Sequence, residues 1–250
     1  MPDRPIIFSA PMVRAFLDDR KTQTRRALGT GNTLFNCGPW TKLHRAQEWA
    51  WESAWVDPGP SPAGNPGPYL KLQWAAGDAL TFEDTVHRVY PIWQPGDRLY
   101  VREAWCALAD NPASEVCQLA TGDGVAYRAT DDDEMSIYPR WRPSIHMPRW
   151  ASRLTLTVTD VRVQRLQDIS EADAVAEGVT ADAWVQPDGT EKPSCVSAFC
   201  DLWNSLHGPR PRRRAGGTLP PRPSPDFTWD ANPWVVALTF AVRKGNIDRA

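Results

Sequence analysis

The stretch RLTLTVTDVRVQRL, residues 153–166, carries the strongest strand signal in the sequence. Its apolar side chains alternate with threonines as far as Val158, and the apolar positions then shift to Val161 and Val163. Alternation with period two places apolar side chains on one face of a half-buried strand. Because the phase changes, the pattern predicts a bulge or sharp bend near Asp160, of the kind that lets a small sheet curl into a barrel.

Other strands and helices lie on both sides of this one. The further predicted strands are 5–8, 98–105, 124–128 and 234–242, and predicted helices follow Ser9, Ser170 and Ser194, which are suitable N-caps. The order is strand, helix, several strands, two helices and a last strand. This order predicts an α+β fold with one small, mostly antiparallel sheet that closes into a β-barrel with flanking helices.

Two long insertions are predicted in what we interpret as a single domain over residues 1–250. The first, about 27–93, holds the proline- and glycine-rich run 57–68 and several tryptophans, and we expect little regular structure there beyond a hairpin near 70–90. The second, about 208–228, is rich in Pro, Arg and Gly and is predicted to be an irregular, mobile loop.

Composition excludes several classes of protein. The chain has 250 residues and a net charge of −2. It contains no apolar run of 18 residues and no signal-peptide pattern, so we expect a cytoplasmic protein without a membrane partner. The five cysteines match neither a disulfide framework nor a zinc motif. No ATP loop or hydrolase serine elbow is present, and we expect neither a metal nor a cofactor.

Basic and aromatic residues are interleaved over residues 140–153. Between residues 140 and 165 there are six arginines against one acidic residue. Arginine binds phosphate and tryptophan stacks on bases, so the stretch predicts a nucleic-acid or flipped-base site. Its candidate residues are Arg142, His146, Arg149 and Trp150. The alternative is a capping loop whose Trp and Met side chains fill the barrel end while its arginines face solvent.

Three motifs together resemble the ASCH family, a branch of the PUA-like β-barrels. They are DRKTQTRR at 19–26, PGDRL at 95–99 and LQDISEADAVAEG at 166–178. The RPSIHMPRWASR stretch at 142–153 is typical of longer relatives from phage and prophage genomes. The family commonly has Gly where this chain has Asp19, and Asp tolerates the left-handed backbone better than most residues.

The resemblance implies both a binding function and an enzymatic one. Relatives bind RNA, and some small bacterial ones hydrolyse N4-acylated cytidine with a Lys, a Thr and a Glu, which by motif position are Lys21, Thr24 and Glu177. Such a lysine would be partly buried and take a proton from Thr24 or water, and Glu177 would pass it to the leaving amine. Strict alternation puts Lys21 and Thr24 on opposite faces, so this mechanism needs an irregular strand start. In the alternative, Lys21, Arg25 and Arg26 are surface charges or phosphate clamps.

Two further places hold candidate base-binding residues. Glu103 shares a predicted strand face with apolar residues, so it lies at the barrel mouth or, as we favour, pairs with Arg25 or Arg102. Before the last strand, Trp229, Asp230 and Asn232 form the other group. Their side chains either read a base edge or hold a turn, and the turn is favoured.

These observations favour nucleic-acid or modified-nucleobase binding in an ASCH-type pocket. The second hypothesis is an amidohydrolase that removes N4-acyl groups from cytosine nucleosides or bases. The third is a phage interaction module whose tryptophan-rich insertion binds a protein partner. The sequence leaves open DNA against RNA, the identity of the base and the oligomeric state.

Overall fold

The computed structural model describes the secondary structure of most of the predicted core. The described residues are 3–28, 54–59, 67–73, 86–89, 91–107, 124–131, 140–181, 194–207, 212–214, 217–219 and 227–249.

A five-stranded sheet forms the centre of the molecule. Its strands are β1 (Asp3–Ile7), β2 (Gln23–Ala27), β6 (Arg98–Arg102), β9 (Leu154–Arg165) and β12 (Trp234–Lys244), in the order β1-β6-β9-β12-β2. β1 runs parallel to β6, and every other neighbouring pair is antiparallel. Together with the helices below, this sheet confirms the predicted α+β class and its mostly antiparallel character.

A β-bulge lies where the sequence predicted it. On β12, Thr239 pairs with Asp160 and the next residue, Phe240, pairs with Val158, so Thr159 has no opposite residue in the register. Leu154, the start of β9, and Val161, just after the bulge, are both buried, so the extra residue keeps the apolar positions on the core side.

The two edge strands of this sheet approach each other. Nη2 of Arg26, on β2, donates a hydrogen bond of 2.6 Å to the carbonyl of Ile7 at the end of β1, and its guanidinium lies 4.9 Å from the Phe8 ring centroid. The sheet is therefore curled. In the described part of the chain no ladder joins β1 to β2, so a closed barrel is not observed.

Helices cover both faces of the sheet. Helix α1 (Ala10–Leu17) packs Phe16 against Phe8 and Phe240 in the main core. Helices α3 (Glu171–Ala176) and α4 (Cys195–His207) pack on the opposite face around Phe199 and Trp203. As predicted, the Ser170 side chain caps α3, accepting a 3.1 Å hydrogen bond from the Asp173 amide. A short helix α2 (Arg128–Asp131) follows β8 and contacts α1.

Smaller sheets surround this centre. β3 (Trp55–Asp57), β4 (Tyr69–Gln73) and β5 (Val86–Val89) form an antiparallel sheet, and its β4–β5 pair matches the hairpin predicted near 70–90. β7 (Trp105–Ala107) pairs with β8 (Val125–Tyr127). β10 (Arg212–Arg214) pairs with β11 (Gly217–Leu219), so the segment predicted as an irregular loop contains a hairpin.

Part of the first insertion lies outside the described residues. This part includes Trp40, Trp49, Trp51 and Trp74, which carried the hypothesis of a protein-docking module. Among the helices that are described, none is long and apolar enough to cross a membrane.

Candidate functional site

A lysine and a glutamate meet beside the start of β2, away from solvent. Nζ of Lys21 donates one hydrogen bond of 2.7 Å to Oε2 of Glu177 and another of 2.7 Å to the Glu177 carbonyl. The Lys21 side chain is fully buried and that of Glu177 is 3% exposed. The two residues are 156 positions apart in the sequence. They come from two separate motifs that carried the family resemblance, and the structure brings these motifs together.

Two residues with a left-handed backbone place this pair. Asp19 has a φ of 57° and ends the turn after α1, as the sequence predicted. Gly178 has a φ of 84°, and a Cβ there would lie 2.9 Å from the Cβ atoms of both Lys21 and Ala15. Only glycine fits this approach without displacing its neighbours. Lys21 forms an isolated bridge with Glu177 before regular β2 begins, which is the irregular strand start that the hydrolase hypothesis requires.

Arg25 gives Glu177 a second cationic partner. Its Nη1 lies 3.2 Å from Oε1 of Glu177, and its Nη2 donates a 2.9 Å hydrogen bond to Asp173. Asp173 also accepts a 3.1 Å hydrogen bond from Arg162, whose side chain is 40% exposed. The network therefore runs from a fully buried ammonium group to an arginine at the surface.

Thr24 and Arg26 lie on the other face of β2. Thr24 pairs with the buried Leu238 and so shares its face, while Arg25 points to the opposite side. The Thr24 side chain is buried, and its hydroxyl makes no hydrogen bond within the described part of the chain. Arg26 approaches Phe8, whose ring centroid also lies 5.8 Å from Nζ of Lys21. Below, Lys21, Arg25, Arg26 and Glu177 are called the Lys21 cluster.

Burial and neighbouring charges shift the pKa values of Lys21 and of the nearby Asp173. Burial lowers the pKa of Lys21 below its usual 10.5, and Glu177 opposes this effect without cancelling it. The charges of Arg25 and Arg26 lower that pKa further. Burial tends to raise the pKa of Asp173, but the hydrogen bond from Arg162 and the charge of Arg25 outweigh it, so this pKa is lowered.

The Lys21 ammonium group has one N–H donor beyond the two that bind Glu177. An ammonium group has three donors, and two of them bind Glu177. The third has no hydrogen-bond partner among the residues that the structure describes. The ring centroids of Phe8 and Phe16, at 5.8 and 5.9 Å from Nζ, provide an apolar wall beside it.

The predicted 140–153 stretch contributes an exposed surface. Ile145 and Trp150 are 57% and 58% exposed, and Arg142 and His146 are also exposed. We call these four residues the 142–150 surface. The guanidinium of Arg142 lies 5.2 Å from the ring centroid of Trp105, and Trp150 packs edge-on against the same ring at 6.2 Å. Met147 is buried, as the capping-loop alternative expects, whereas Trp150 is exposed.

Arg149 is engaged within the protein. Its guanidinium binds Asp3 and Asp248, and it lies 5.6 Å from the ring centroid of Tyr100. These carboxylates neutralise the phosphate-binding capacity predicted for Arg149. The residue joins β1, the 149–151 turn and the C-terminal segment.

Glu103 is buried and paired, but with a different arginine from those predicted. Arg153 donates two hydrogen bonds to its carboxylate, of 2.9 and 3.0 Å. Arg25 binds Glu177 and Asp173 instead, and Arg102 binds the carbonyls of Met147 and Ile145. Burial raises the pKa of Glu103 despite the opposing effect of Arg153. This geometry indicates a structural ion pair.

The residues before β12 form a turn. Asn232 has a φ of 43°, and its side-chain oxygen accepts a 2.9 Å hydrogen bond from the Gln167 amide. Trp229 packs edge-on against Phe199, with ring centroids 6.3 Å apart, and Asp230 is exposed. The favoured structural interpretation of this group therefore agrees with the geometry.

The sequence analysis did not assign three residues that complete the site, and it named Arg102 only as a possible partner of Glu103. Asp173 and Arg162 extend the Lys21 cluster, and Arg102 holds the loop that carries the 142–150 surface. A signal for Asp173 existed, because it lies one helical turn before Glu177 and shares its face of α3.

In the described residues, no group of three or more His, Cys, Asp or Glu side chains is placed to hold a metal ion. Comparison with known protein families, with curated proteins and with solved structures finds no match to this chain.

Proposed function

We propose that this protein binds a nucleobase at the Lys21 cluster, in an ASCH-type barrel of the PUA-like kind. The observation that carries the proposal is the 2.7 Å contact between Lys21 and Glu177, both withdrawn from solvent. Buried charges cost free energy, and burying this pair brings together two motifs that resemble one family. The curled sheet and the contact between its edge strands are compatible with the barrel part of the proposal.

The chemistry of the cluster matches a base. Carbonyl oxygens and ring nitrogens of a base accept hydrogen bonds, and the spare Lys21 donor and the Thr24 hydroxyl offer them. An exocyclic amine can donate to Glu177. Lys21, Arg25 and Arg26 outnumber the neighbouring carboxylates of Glu177 and Asp173, which also favours a ligand that carries phosphate nearby.

The experiment that tests this proposal is isothermal titration calorimetry with cytidine, uridine, adenosine, guanosine and N4-acetylcytidine. We expect at least one nucleoside to bind, and Thr24→Val to weaken it about 2- to 10-fold through loss of one hydrogen bond. Thr157→Val, which changes an exposed threonine on β9, is the matched control and should bind as the wild type does. Binding of none of the five, or equal binding by the Thr24 variant, contradicts the proposal.

A second candidate function is the hydrolysis of an N4-acylated cytosine, favoured by the lowered pKa of Lys21. A neutral Lys21 would take the Thr24 hydroxyl proton as that oxygen attacks the acyl carbon. The carbon–nitrogen bond then breaks, Glu177 relays the proton from Lys21 to the departing amine, and water hydrolyses the Thr24 ester to release the acyl group as an acid. The proposed hydrolysis requires Lys21 to contact the Thr24 hydroxyl. In the described structure Nζ of Lys21 binds Glu177 and makes no hydrogen bond to Thr24, so we rank binding above hydrolysis.

Hydrolysis is tested by incubating the protein with N4-acetylcytidine and separating cytidine by chromatography. The hydrolase predicts cytidine from the wild type and none from Thr24→Val or Lys21→Ala. Absence of cytidine with wild-type protein contradicts hydrolysis of this substrate and leaves the binding proposal to calorimetry.

A further inference from the structure

We propose that Asp173 is a positioning residue for the Lys21 cluster: by holding one arm of the Arg25 guanidinium, it prevents Arg25 from taking Glu177 away from Lys21. Asp173 lies in α3, one helical turn before Glu177, so both carboxylates leave the same side of this helix. The Arg25 side chain is fully buried between them. Only the consequence for a bound ligand rests on the proposed function.

The guanidinium of Arg25 is divided between two carboxylates. Its Nη1 lies 3.2 Å from Oε1 of Glu177, and its Nη2 donates a 2.9 Å hydrogen bond to Oδ2 of Asp173. Arginine favours binding one carboxylate with two parallel N–H groups, because its planar fork matches both oxygens. Asp173 occupies Nη2 and so prevents this arrangement, and Oε2 of Glu177 stays 2.7 Å from Nζ of Lys21.

Asp173 also lies between two arginines of like charge. In the register of the sheet, Arg25 on β2 and Arg162 on β9 both pair with Ala237 of β12, so their side chains leave the same face. Oδ1 of Asp173 accepts a 3.1 Å hydrogen bond from Arg162, while Oδ2 accepts the one from Arg25. One carboxylate therefore balances both guanidinium groups and fixes the position of the buried one.

The effect of Asp173 on Lys21 passes through Arg25. Within the described residues, no hydrogen bond or ion pair joins Asp173 to Lys21. The charges that act on the pKa of Lys21 are those of Glu177, which raises it, and of Arg25 and Arg26, which lower it. Without the Asp173 charge, Arg25 is less well balanced and its fork is free to bind Glu177. Both changes disfavour the protonated form of Lys21.

The experiment is an NMR pH titration of the Lys21 ¹³Cε signal in ligand-free protein with ¹³C-labelled lysine. We expect Asp173→Asn to lower the titration midpoint by about one pH unit, the lower end of the effect of a nearby charge. Helix α3 keeps its cap in this variant, because Ser170 binds the backbone amide of Asp173. Asp173→Glu, which retains the charge, should return the midpoint toward the wild-type value.

Asp160→Asn is the matched control. Asp160 also pairs with Arg162, at 3.4 Å, but its side chain is 55% exposed and makes no contact with Arg25 in the described part of the chain. This variant should leave the Lys21 midpoint unchanged. A double-mutant cycle separates positioning from a general structural role: in an Arg25→Met background, Asp173→Asn should no longer move the midpoint.

A midpoint that is unchanged in Asp173→Asn, or that shifts equally in Asp160→Asn or in the Arg25→Met background, overturns the inference. With a ligand, Asp173→Asn should weaken nucleoside binding in calorimetry about 2- to 10-fold, because Lys21 loses its fixed place on Glu177. If no nucleoside binds to the wild type but the midpoint shifts as expected, the positioning role is supported and the proposed function is contradicted.

Discussion

Removing the Glu177 charge should be strongly destabilising. Glu177→Gln keeps the shape of the side chain but leaves Lys21 without a buried counter-charge. At an effective dielectric of about 20, the 2.7 Å contact with Lys21 corresponds to an attraction of about 6 kcal/mol, and the 3.2 Å contact with Arg25 to about 5 kcal/mol. The cost of burying the carboxylate offsets much of this sum. Breaking a buried pair from one side typically costs about 3–5 kcal/mol, and we expect that loss.

The assay is urea denaturation followed by tryptophan fluorescence at several pH values. In the variant, burial still lowers the pKa of Lys21 and the Glu177 charge no longer opposes it. Between the folded-state pKa and the unfolded value near 10.5, the unfolded state binds the proton more tightly, so stability rises with pH. The deficit of the variant relative to wild type should therefore shrink as the pH rises from about 7 to about 10.

An exposed pair with the same distance is the control. Nζ of Lys244 lies 2.7 Å from Asp19, whose side chain is 73% exposed. Asp19→Asn should cost less than about 1 kcal/mol, because water screens this pair and Asn also tolerates a positive φ. A loss below about 1 kcal/mol in Glu177→Gln, or a deficit independent of pH, would refute the claim that Lys21 and Glu177 form a buried charged pair.

Two other predictions follow from backbone and charge. Gly178→Ala should lower the stability measured by thermal unfolding clearly more than Gly124→Ala does. Both glycines have a positive φ, but a Cβ at Gly178 would collide with Lys21, whereas nothing lies within 4 Å of a Cβ at Gly124. Equal losses of stability would contradict this packing. The hydrogen bond from Lys71, helped by Tyr69, lowers the pKa of Asp57 to about 2. Lys71→Met should raise that pKa toward 3.8 in a carboxyl NMR titration. In the wild type, this carboxylate stabilises the β3–β4–β5 sheet above pH about 4, and the stabilisation should be lost as the pH falls toward 2. An Asp57 titration that is unchanged in Lys71→Met would refute the assignment.

Local patterns predicted the elements of the fold, because they depend on neighbours in the sequence. The phase shift in residues 153–166 gave the bulge, since the extra residue is needed to return Val161 to the core. The Ser170 cap was readable for the same reason. The parallel pairing of β1 with β6 had no local signal, because it joins segments about 95 positions apart.

The candidate site was only partly predictable. Lys21 and Glu177 came together in the prediction through the family resemblance, since periodicity says nothing about residues 156 positions apart. The partner of Glu103 was wrong for a related reason. An ion pair depends on proximity in three dimensions. Glu103 directly follows β6, and Arg153 directly precedes β9, the strand that pairs with β6.

The account is tested most directly by NMR of protein labelled with ¹⁵N at the lysine Nζ atoms, titrated with N4-acetylcytidine and cytidine. Burial and hydrogen bonding to Glu177 should slow proton exchange of the Lys21 ammonium, so that its signal is observable and is missing in Lys21→Met. We predict that this signal shifts with saturation as a nucleoside binds. A nucleoside that binds without moving the Lys21 signal would contradict base binding at the Lys21 cluster.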